Sequence, residues 1–449
     1  MNHITVIGGG ASGLAAAIAA AREGAAVTIL EHTGEIGKKL LATGNGRCNF
    51  TNRHMTADCY FSENPPFVAE FLKRFSVQDC LDWFGSLGVY AEEKNGYVYP
   101  YSNQAVSVVE ALKLAVAAYG IEVRYRVEVT ELVVKKEHLV LRGTETLVEA
   151  PPTKEAGKSG QKKAKARQAL EKGTSVPFSM KCDAVILACG SKAAPKTGSD
   201  GSGYTLAKQL GHRIIPIHPA LVQLRSQGDF LKRWAGVRCM GTVSLWMDGR
   251  EQAKERGELQ LTEYGISGIP VFQVSRIATK ALAQGKAVWA KLNFLPDMPE
   301  KEAKQLLGTL LSCPGHDPPM QWLSGLLPAK LIPVVLHRMG ITERQWDNVW
   351  KGRKGTSALA DELYRQLSAF ALEITGSNAY DQAQVCAGGV DTAELDETFQ
   401  SKWVPRAYLV GELLDVDGIC GGYNLHFAWG SGIAAGRAAA HSKNGSRRL

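Results

Sequence analysis

The chain opens with a short apolar segment that runs directly into three consecutive glycines. Residues 4–7 read ITVI, and residues 8–13 follow as GGGASG, which fits the pattern G-x-G-x-x-G. An alanine-rich stretch comes next, and a second apolar segment at residues 25–30 ends at the acid Glu31. This order predicts a β-strand, a tight glycine turn, a helix and a second parallel strand with a carboxylate at its end.

Such an arrangement is typical of a dinucleotide-binding unit. Gly8 allows the tight turn, Gly10 lets backbone N–H groups approach a pyrophosphate, and Gly13 lets the helix pack closely on the sheet. The N-terminus of the helix faces the phosphates with its partial positive charge. Glu31 is placed to accept hydrogen bonds from ribose hydroxyls. We therefore expect the chain to bind a dinucleotide.

Composition narrows the class of protein. The 449 residues suffice for two or three domains, and 45% hydrophobic with 21% charged residues is ordinary for a soluble globular chain. No apolar run approaches the roughly 18 residues of a membrane span, and the first strand leaves no residues for a signal peptide. The nine cysteines form no C-x-x-C pair and no zinc-type cluster with histidine. We expect a cytoplasmic protein with free thiols, no metal site and no membrane association.

Much of the net charge of +8 comes from one segment, residues 151–175, which holds seven basic and two acidic residues. This segment is rich in Lys, Ala, Gly and Gln and has almost no large apolar residues, which favours a mobile, solvated insertion. The alternative is an electrostatic arm for a nucleic-acid backbone. No aromatic residue is interleaved with the lysines, so base stacking is not indicated there.

Hydrophobic patterns along the chain predict its organisation. Residues 123–141 alternate as a small antiparallel hairpin, and residues 182–190 read as a buried strand. Gly190 lies at the carboxyl end of that strand, where parallel sheets bind ligands. Residues 191–298 contain short strand-like runs, residues 271–274 among them, that alternate with glycine turns.

The remaining chain is predicted in two parts. Residues 299–375 show a helical, polar pattern with apolar faces, and residues 376–449 return to strands and glycine turns. We therefore expect residues 1–190 and 376–449 to form one nucleotide-binding domain. Residues 191–298 and 299–375 would be the β-rich and helical parts of an inserted substrate domain.

The C-terminal segment indicates which dinucleotide binds. A predicted strand ends at Gly411 and Glu412, further glycines follow, and residues 430–432 (GSG) are read as a helix start. The acid suits the ribityl chain of FAD, and the helix N-terminus suits negative charge at the N1/C2=O edge of a reduced flavin. No second G-x-G-x-x-G unit is present, so NAD(P)H would act as a transient electron donor at the flavin.

Six motifs, spread in order along the chain, complete this picture. They are residues 43–49 (TGNGRCN), 99–102 (YPYS), 197–203 (TGSDGSG), 264–268 (YGISG), 387–390 (AGGV) and 411–424. With them the sequence resembles the family of bacterial NAD(P)/FAD-dependent oxidoreductases that includes the bile-acid Δ4,6-reductase type. The resemblance implies an α/β fold: a two-part Rossmann-like FAD-binding domain, similar to glutathione reductase, with an inserted β-rich and helical substrate domain.

The resemblance also implies roles for individual residues. The pyrophosphate would lie against Gly8, Gly10, Ala11, Ser12 and Gly13, and the adenosine ribose against Glu31. Lys39, Gly46 and Arg47 would lie near phosphate or flavin, and the backbone of Val129 near adenine. The ribityl and isoalloxazine parts would be held by Gly411, Glu412, Gly422 and Asn424.

Three residues are candidates for the chemistry. Arg47 is a fixed cation that can polarise a substrate carbonyl, and the alternative is a phosphate contact or a structural ion pair. Tyr423 and His426 are candidate proton donors, and the alternatives are a core tyrosine and a surface histidine. His426 stands where relatives often carry a neutral amide.

The predicted reaction is NAD(P)H-driven reduction of a conjugated C=C bond. The substrate would be a steroid-like or bile-acid-like enone, or the uracil ring of ribosomal RNA, which would give dihydrouridine. Two alternatives remain open: an O2-dependent amine or aminoketone oxidase, and a non-catalytic protein that binds flavin and RNA. The sequence does not indicate the oligomeric state.

Overall fold

The structure is a computed structural model, and it describes residues 2–148, 173–312, 323–342 and 356–442. Most of the basic segment predicted at residues 151–175 therefore lies outside the described residues. The last two residues of that segment belong to a strand, Thr174–Cys182. No helix in the described part of the chain is long and apolar enough to cross a membrane.

The chain divides into two compact units, each with its own buried hydrophobic cluster. The first unit joins Met1–Ile217 to Val385–Leu449, and the second is His218–Gln384. The first unit thus extends beyond residue 190, the domain boundary that the sequence predicts. The reason is the helix Ser202–Gln209, whose apolar side chains are buried in the hydrophobic cluster of the first unit.

The first unit contains these strands: β1 His3–Ile7, β2 Ala26–Glu31, β3 Thr51–Asn52, β4 Tyr60–Phe61, β5 Ala91–Lys94, β6 Tyr97–Pro100, β7 Glu122–Tyr125, β8 Val127–Val134, β9 Leu139–Leu147, β10 Thr174–Cys182, β11 Ala184–Leu187, β12 Ile214–Ala220 (which contains the division after Ile217), β19 Val385–Val390, β20 Ala407–Leu409 and β21 Asp417–Gly418. Its helices are α1 Ala11–Arg22, α2 Pro65–Arg74, α3 Val77–Ser86, α4 Ala105–Ala118, α5 Ser202–Gln209 and α11 Tyr423–His441.

A five-stranded parallel sheet forms the centre of the first unit, in the order β20-β11-β1-β2-β7. Residues of β1 pair with β11 on one side and with β2 on the other, and β20 adds a strand from the C-terminal segment. The strand order reverses at β1, and the carboxyl ends of β1, β2 and β11 therefore border a crevice of the type that binds ligands in open α/β sheets.

Helices α1 and α11 pack so closely that only glycine fits between them. A Cβ atom at Gly432 would meet the backbone oxygen of Ser12, and one at Gly436 would meet that of Ala16. The prediction that a helix starts at residues 430–432 was wrong, because these glycines lie inside α11, which begins at Tyr423. Their spacing reflects helix packing and not a helix start.

The hairpin predicted over residues 123–141 divides into two elements. Arg126 has a φ of +58°, which turns the chain between β7 and β8. Strand β7 therefore joins the parallel sheet beside β2, whereas β8 pairs with β9 in a separate antiparallel sheet, β10-β9-β8.

The second unit contains strands β13 Leu224–Ser226, β14 Arg238–Met247, β15 Arg250–Thr262, β16 Gly265–Ser267, β17 Val288–Asn293 and β18 Phe370–Ser377. Its helices are α6 Leu231–Trp234, α7 Ile269–Ala283, α8 Glu300–Ser312, α9 Leu331–Arg338 and α10 Thr356–Ser368.

These six strands close into a barrel in the order β13-β16-β15-β14-β17-β18. Strand β18 closes it by pairing with both β17 and β13, which is why this unit continues past residue 375. The strand predicted at residues 271–274 is wrong: this stretch belongs to α7, whose buried positions include Val271, Val274 and Ala278. Their spacing of three and four residues is typical of a helix, but the four residues 271–274 are too short a stretch to show that period.

Candidate functional site

The crevice at the carboxyl ends of β1, β2 and β11 is a cavity of about 1050 Å³, counted with its open mouth. Its walls come from the glycine turn after β1, the loop after β2, strand β8, the loop after β11 and the segment around Glu412. All of these belong to the first unit. Of the residues predicted to bind the cofactor, these line the cavity: Gly8, Gly10, Ala11, Ser12, Glu31, Lys39, Val129, Gly190 and Glu412.

The three glycines of the first turn differ in what surrounds them. Gly8 has a φ of +106°, and a Cβ atom there would lie 2.5 Å from the carbonyl oxygen of Ala188. A Cβ atom at Gly13 would meet the carbonyl oxygen of Gly8, whereas one at Gly10 would have no protein atom within 4 Å. Gly8 and Gly13 are therefore required by packing, and Gly10 leaves open space against the cavity.

The N-terminus of α1 suits an anion. Gly10 caps this helix without a side-chain hydrogen bond, and its first turn holds no acidic residue. The first N–H groups of a helix have no intrahelical partners, and they carry the positive end of the helix dipole. The turn thus offers unpaired donors to a pyrophosphate, and the residues present fit that part of FAD.

Glu31 is held in one orientation by backbone donors. Its two carboxylate oxygens accept hydrogen bonds from the N–H groups of Gly9 at 2.8 Å and Thr33 at 2.7 Å. The residue is buried, yet it lines the cavity. Each carboxylate oxygen can accept a second hydrogen bond, so a ribose hydroxyl can still bind there.

Both ends of the chain meet at Glu412. Its Oε2 atom lies 2.6 Å from Nζ of Lys39 and accepts a hydrogen bond of 3.1 Å from the hydroxyl of Ser191. Both charged side chains are about one-quarter exposed. Sequence reasoning named Lys39 and Glu412 but missed Ser191, which follows the glycine at the end of β11.

The loop after β11 supplies cavity residues that sequence reasoning did not assign. Residues 197–200 line the cavity together with Gly190 and Val129. The motif TGSDGSG was noted in the sequence, and its position after a buried parallel strand was the signal that could have identified these residues.

The loop at residues 43–48 has an unusual backbone. Gly44, Asn45, Gly46 and Cys48 all have positive φ values, between 56° and 80°. Glycine adopts this conformation freely, but for Asn45 and Cys48 it costs free energy, and such strained residues cluster at functional sites. Thr43 lines the cavity, but the predicted Gly46 and Arg47 do not.

Arg47 lies on this loop in an exposed position. Its guanidinium group stacks over the ring of Tyr99, 5.0 Å from the ring centroid. Its Nε atom donates to the carbonyl oxygen of Gly44 at 3.4 Å. No ion pair is formed by this side chain within the described ranges, so Arg47 presents a cation at the surface beside the glycine loop.

The structure places His426 in the core and not at a surface. Its Nδ1 atom lies 2.9 Å from the hydroxyl of Thr51, and its Nε2 atom lies 3.2 Å from the carbonyl oxygen of Phe75. Because a carbonyl only accepts, Nε2 carries the proton and Nδ1 accepts from Thr51. Burial lowers the pKa of His426 to about 4. The one N–H of this neutral imidazole is already donated to Phe75 and the ring is fully buried, so the geometry does not favour His426 as a proton donor to a substrate.

Tyr423 is also bound by the protein itself. It is 5% exposed, and its hydroxyl donates to the carbonyl oxygen of His54 at 2.9 Å. Burial raises its pKa well above the usual value. The core interpretation of this tyrosine therefore agrees with the geometry better than the role of proton donor.

The other predicted C-terminal residues shape the backbone and do not line the cavity. The amide of Asn424 donates to the carbonyl oxygen of Gly418 at 2.9 Å and accepts from its N–H group at 2.8 Å. A Cβ atom at Gly422 would lie 2.6 Å from the oxygen of Thr51, and one at Gly411 would lie 2.5 Å from Oγ of Ser12.

A parallel sheet with a glycine turn, a fixed acid after β2 and a helix N-terminus at one cavity defines a Rossmann-type dinucleotide-binding protein. A family model described as the HI0933-like protein Rossmann domain matches residues 2–438. The chain belongs to this family.

Relatives and solved structures agree with that assignment. The chain is 41% identical over 444 residues to the 3-dehydro-bile acid delta(4,6)-reductase of Clostridium scindens, covering 98% of this chain and 99% of the relative. It is 28% identical over 442 residues to the ribosomal RNA dihydrouridine synthase of Haemophilus influenzae, covering 96% of each. A 3-ketosteroid-delta4-(5alpha)-dehydrogenase from Rhodococcus jostii shares the fold, with a TM-score of 0.50, 15% identity and coverage of 98% and 97%.

These findings confirm the predicted family and the predicted fold class, a Rossmann-like FAD-binding domain with an added β-rich region. They also agree with the predicted class of function, an FAD-dependent oxidoreductase. The names of the relatives cover both substrate types that the sequence predicts.

Proposed function

We propose that this protein reduces a conjugated C=C bond of a steroid-like enone, with FAD as its bound cofactor and NAD(P)H as the hydride donor. The observation that carries the proposal is the cavity walled by both ends of the chain, with the glycine turn on one side and Glu412 on the other. The 41% identity to a bile-acid reductase, over nearly the full length of both proteins, supports the steroid-like substrate.

Different cavity residues would hold different parts of FAD. The N-terminus of α1 would hold the pyrophosphate, and Glu31 would hold the adenosine ribose. Val129 and Gly190 would border the adenine, because they line the cavity together with Glu31. Lys39 and Glu412 would hold the ribityl chain, where hydroxyl groups can bond to a carboxylate and an ammonium group.

Arg47 supplies the charge that the reaction needs. FAD, when bound, supplies hydride transfer to and from carbon, and the protein supplies binding, orientation and electrostatics. A fixed guanidinium group beside the enone carbonyl would stabilise negative charge on its oxygen as hydride reaches the β-carbon. The exposure of Arg47, without an ion pair in the described part of the chain, leaves it available for that role.

A second substrate has its own support. The uracil ring is also an enone whose β-carbon is C6, and two relatives at 28% and 27% identity are ribosomal RNA dihydrouridine synthases. The basic segment 151–175 favours RNA, although it falls mostly outside the described residues. The lower identity and the lack of a recognisable RNA-binding module make RNA the second candidate.

The test uses the purified yellow protein under anaerobic conditions. We expect NADH or NADPH to bleach the flavin, and a 3-oxo-4-ene steroid to restore its colour with a product heavier by two hydrogens. Restoration by unmodified ribosomal RNA alone would support the second candidate. Bleaching by an amine or aminoketone without NAD(P)H, with peroxide released in air, would contradict the reductase and favour an oxidase. A flavin that NAD(P)H cannot bleach, in a protein that binds RNA, would favour the non-catalytic alternative.

We also propose a cytoplasmic location. The support is chemical: the eight described cysteines are all free thiols, which is ordinary for a reducing compartment.

A further inference from the structure

We propose that Tyr97 is the proton donor of the reaction, in place of Tyr423 and His426. This inference rests on the proposed function, an enone reductase, and names the residue that would protonate the α-carbon of the substrate. Four observations in the first unit support it: Tyr97 shares a strand face with Tyr99, on which Arg47 stacks; its ring contacts the glycine loop before α11; its hydroxyl makes no hydrogen bond within the described residues; and the other two candidates already bind protein groups.

Tyr97 and Tyr99 lie on one face of β6. Side chains alternate along a strand, and the burial pattern of β6 alternates too, with Tyr97 and Tyr99 half-buried and Val98 and Pro100 buried. Arg47 stacks on the ring of Tyr99. The three side chains therefore form a continuous row that begins beside the loop leaving the cavity at Thr43.

The other end of this row reaches the C-terminal glycine loop. A Cβ atom at Gly421 would lie 3.0 Å from the ring of Tyr97, so this ring rests directly on that backbone. Gly421 is followed by Gly422, the N-cap of α11, and residues of the next turns, Leu425 and Ala428, line the cavity. The row thus spans the space between the two loops predicted to border the flavin.

The hydroxyl of Tyr97 is available. It makes no hydrogen bond within the described ranges of the chain, whereas the hydroxyl of Tyr423 is bound to the carbonyl of His54 and the imidazole of His426 is enclosed. Partial burial, with Cys420 and Tyr99 nearby, raises the pKa of Tyr97 above its usual value. The phenol is therefore protonated at neutral pH, as a general acid must be.

The step balances in atoms and charge. Hydride that originates from NAD(P)H adds to the β-carbon, the electron pair of the C=C bond moves to the α-carbon and the carbonyl oxygen near Arg47, and the phenol O–H bond breaks to form the α-C–H bond. Water then returns a proton to the phenolate. The substrate gains two hydrogens, and NAD(P)H is oxidised to NAD(P)⁺.

The experiment compares Tyr97→Phe with a matched control, Tyr90→Phe, in the flavin-loaded protein. Both substitutions keep the ring and remove a hydroxyl, but Tyr90 is 74% exposed and does not belong to the row. We expect NAD(P)H to bleach the flavin of both variants within about threefold of the wild-type rate. Reoxidation by a 3-oxo-4-ene steroid should slow about 100-fold in Tyr97→Phe and less than about threefold in Tyr90→Phe, since general acids contribute about 10²–10⁴-fold.

A readout independent of turnover separates chemistry from structure. Binding of the steroid to the oxidised protein, followed by the shift of the flavin absorbance band, should stay within about threefold in Tyr97→Phe. Unchanged reoxidation in Tyr97→Phe, or an equal loss in Tyr90→Phe, would overturn the assignment of Tyr97. If the wild-type protein itself transfers no hydride to steroid or RNA, the proposed function falls and the proton donor falls with it.

Discussion

Two glycine-rich segments of the first unit contribute to one region in different ways. The turn at residues 8–13 works through its backbone, because Gly10 and the first N–H groups of α1 face the cavity. The segment at residues 418–426 looks similar in sequence, but its polar side chains Tyr423, Asn424 and His426 bind the protein itself. Glycine spacing therefore predicts where a backbone can approach a ligand, and it says nothing about the direction of neighbouring side chains.

The partners in the second segment explain this difference. His426 is bound by Thr51, and Tyr423 by the carbonyl of His54, residues that lie 375 and 369 positions earlier in the chain. Only the tertiary fold brings them together. The first turn needs no such partner, since a strand, a turn and a helix within about thirty residues define it.

The largest effects are expected at two glycines of the first turn, where substitution of Gly13 should lower stability and substitution of Gly10 should weaken FAD binding. In Gly13→Ala the new methyl group meets the carbonyl of Gly8, so α1 must shift. We therefore expect the free energy of unfolding to fall by about 3 kcal/mol and FAD binding to be lost. Gly10 has a φ of −85°, which alanine adopts, and open space beside it. Gly10→Ala should therefore keep its stability within about 0.5 kcal/mol while FAD affinity falls at least about tenfold.

Urea unfolding of the flavin-free proteins and flavin titration measure the two quantities separately. Gly85→Ala is the control, because this glycine lies in α3 with no atom near the new methyl group, and it should change neither quantity adversely. Equal flavin affinity in Gly10→Ala and wild type would show that the turn does not face the cofactor.

The sequence predicted best those features that depend on backbone conformation and on the order of residues along the chain. Local patterns predicted strands β1, β2 and β11, the glycine turn and the position of Glu31. The C-terminal segment was placed at the same ligand because glycine-rich turns occur in both parts of the sequence, and Glu412 does contact Lys39. The sequence could not place Tyr97 beside Gly421, since strand pairing and the path of a distant loop decide that contact. The prediction of a helix start at residues 430–432 was wrong because glycine occurs both at helix ends and where two helices pack closely.

His426 gives a prediction of intermediate size for the second segment. Burial lowers its pKa to about 4, against smaller opposing effects of the Phe75 carbonyl and Asp79. Its pKa in the unfolded chain is about 6.5, so the unfolded state binds the proton more readily. Titration of His426 therefore leaves the free energy of unfolding unchanged above about pH 6.5 and lowers it by up to about 3 kcal/mol as the pH falls towards 4.

Urea unfolding between pH 4 and 7 tests this. In His426→Gln the stability should fall less steeply over that range than in wild type, because no imidazole titrates. His441→Gln, which alters an exposed histidine, should follow the wild-type profile. A parallel fall in His426→Gln and wild type would mean that the imidazole is not buried as a neutral group.

Glu412 gives the smallest effect and the sharpest distinction, because this charged residue of the C-terminal segment lines the cavity, as the first turn does. Glu412→Gln keeps the shape but removes the charge beside Lys39, and a pair that is about one-quarter exposed contributes about 1 kcal/mol or less to stability. FAD affinity should fall about fivefold. Glu70→Gln, which removes an exposed pair with Lys73 away from the cavity, should leave flavin binding unchanged. If both variants bind FAD as wild type does, Glu412 belongs with His426 and Asn424 among residues that support the fold, and the cofactor is held from the N-terminal segment alone.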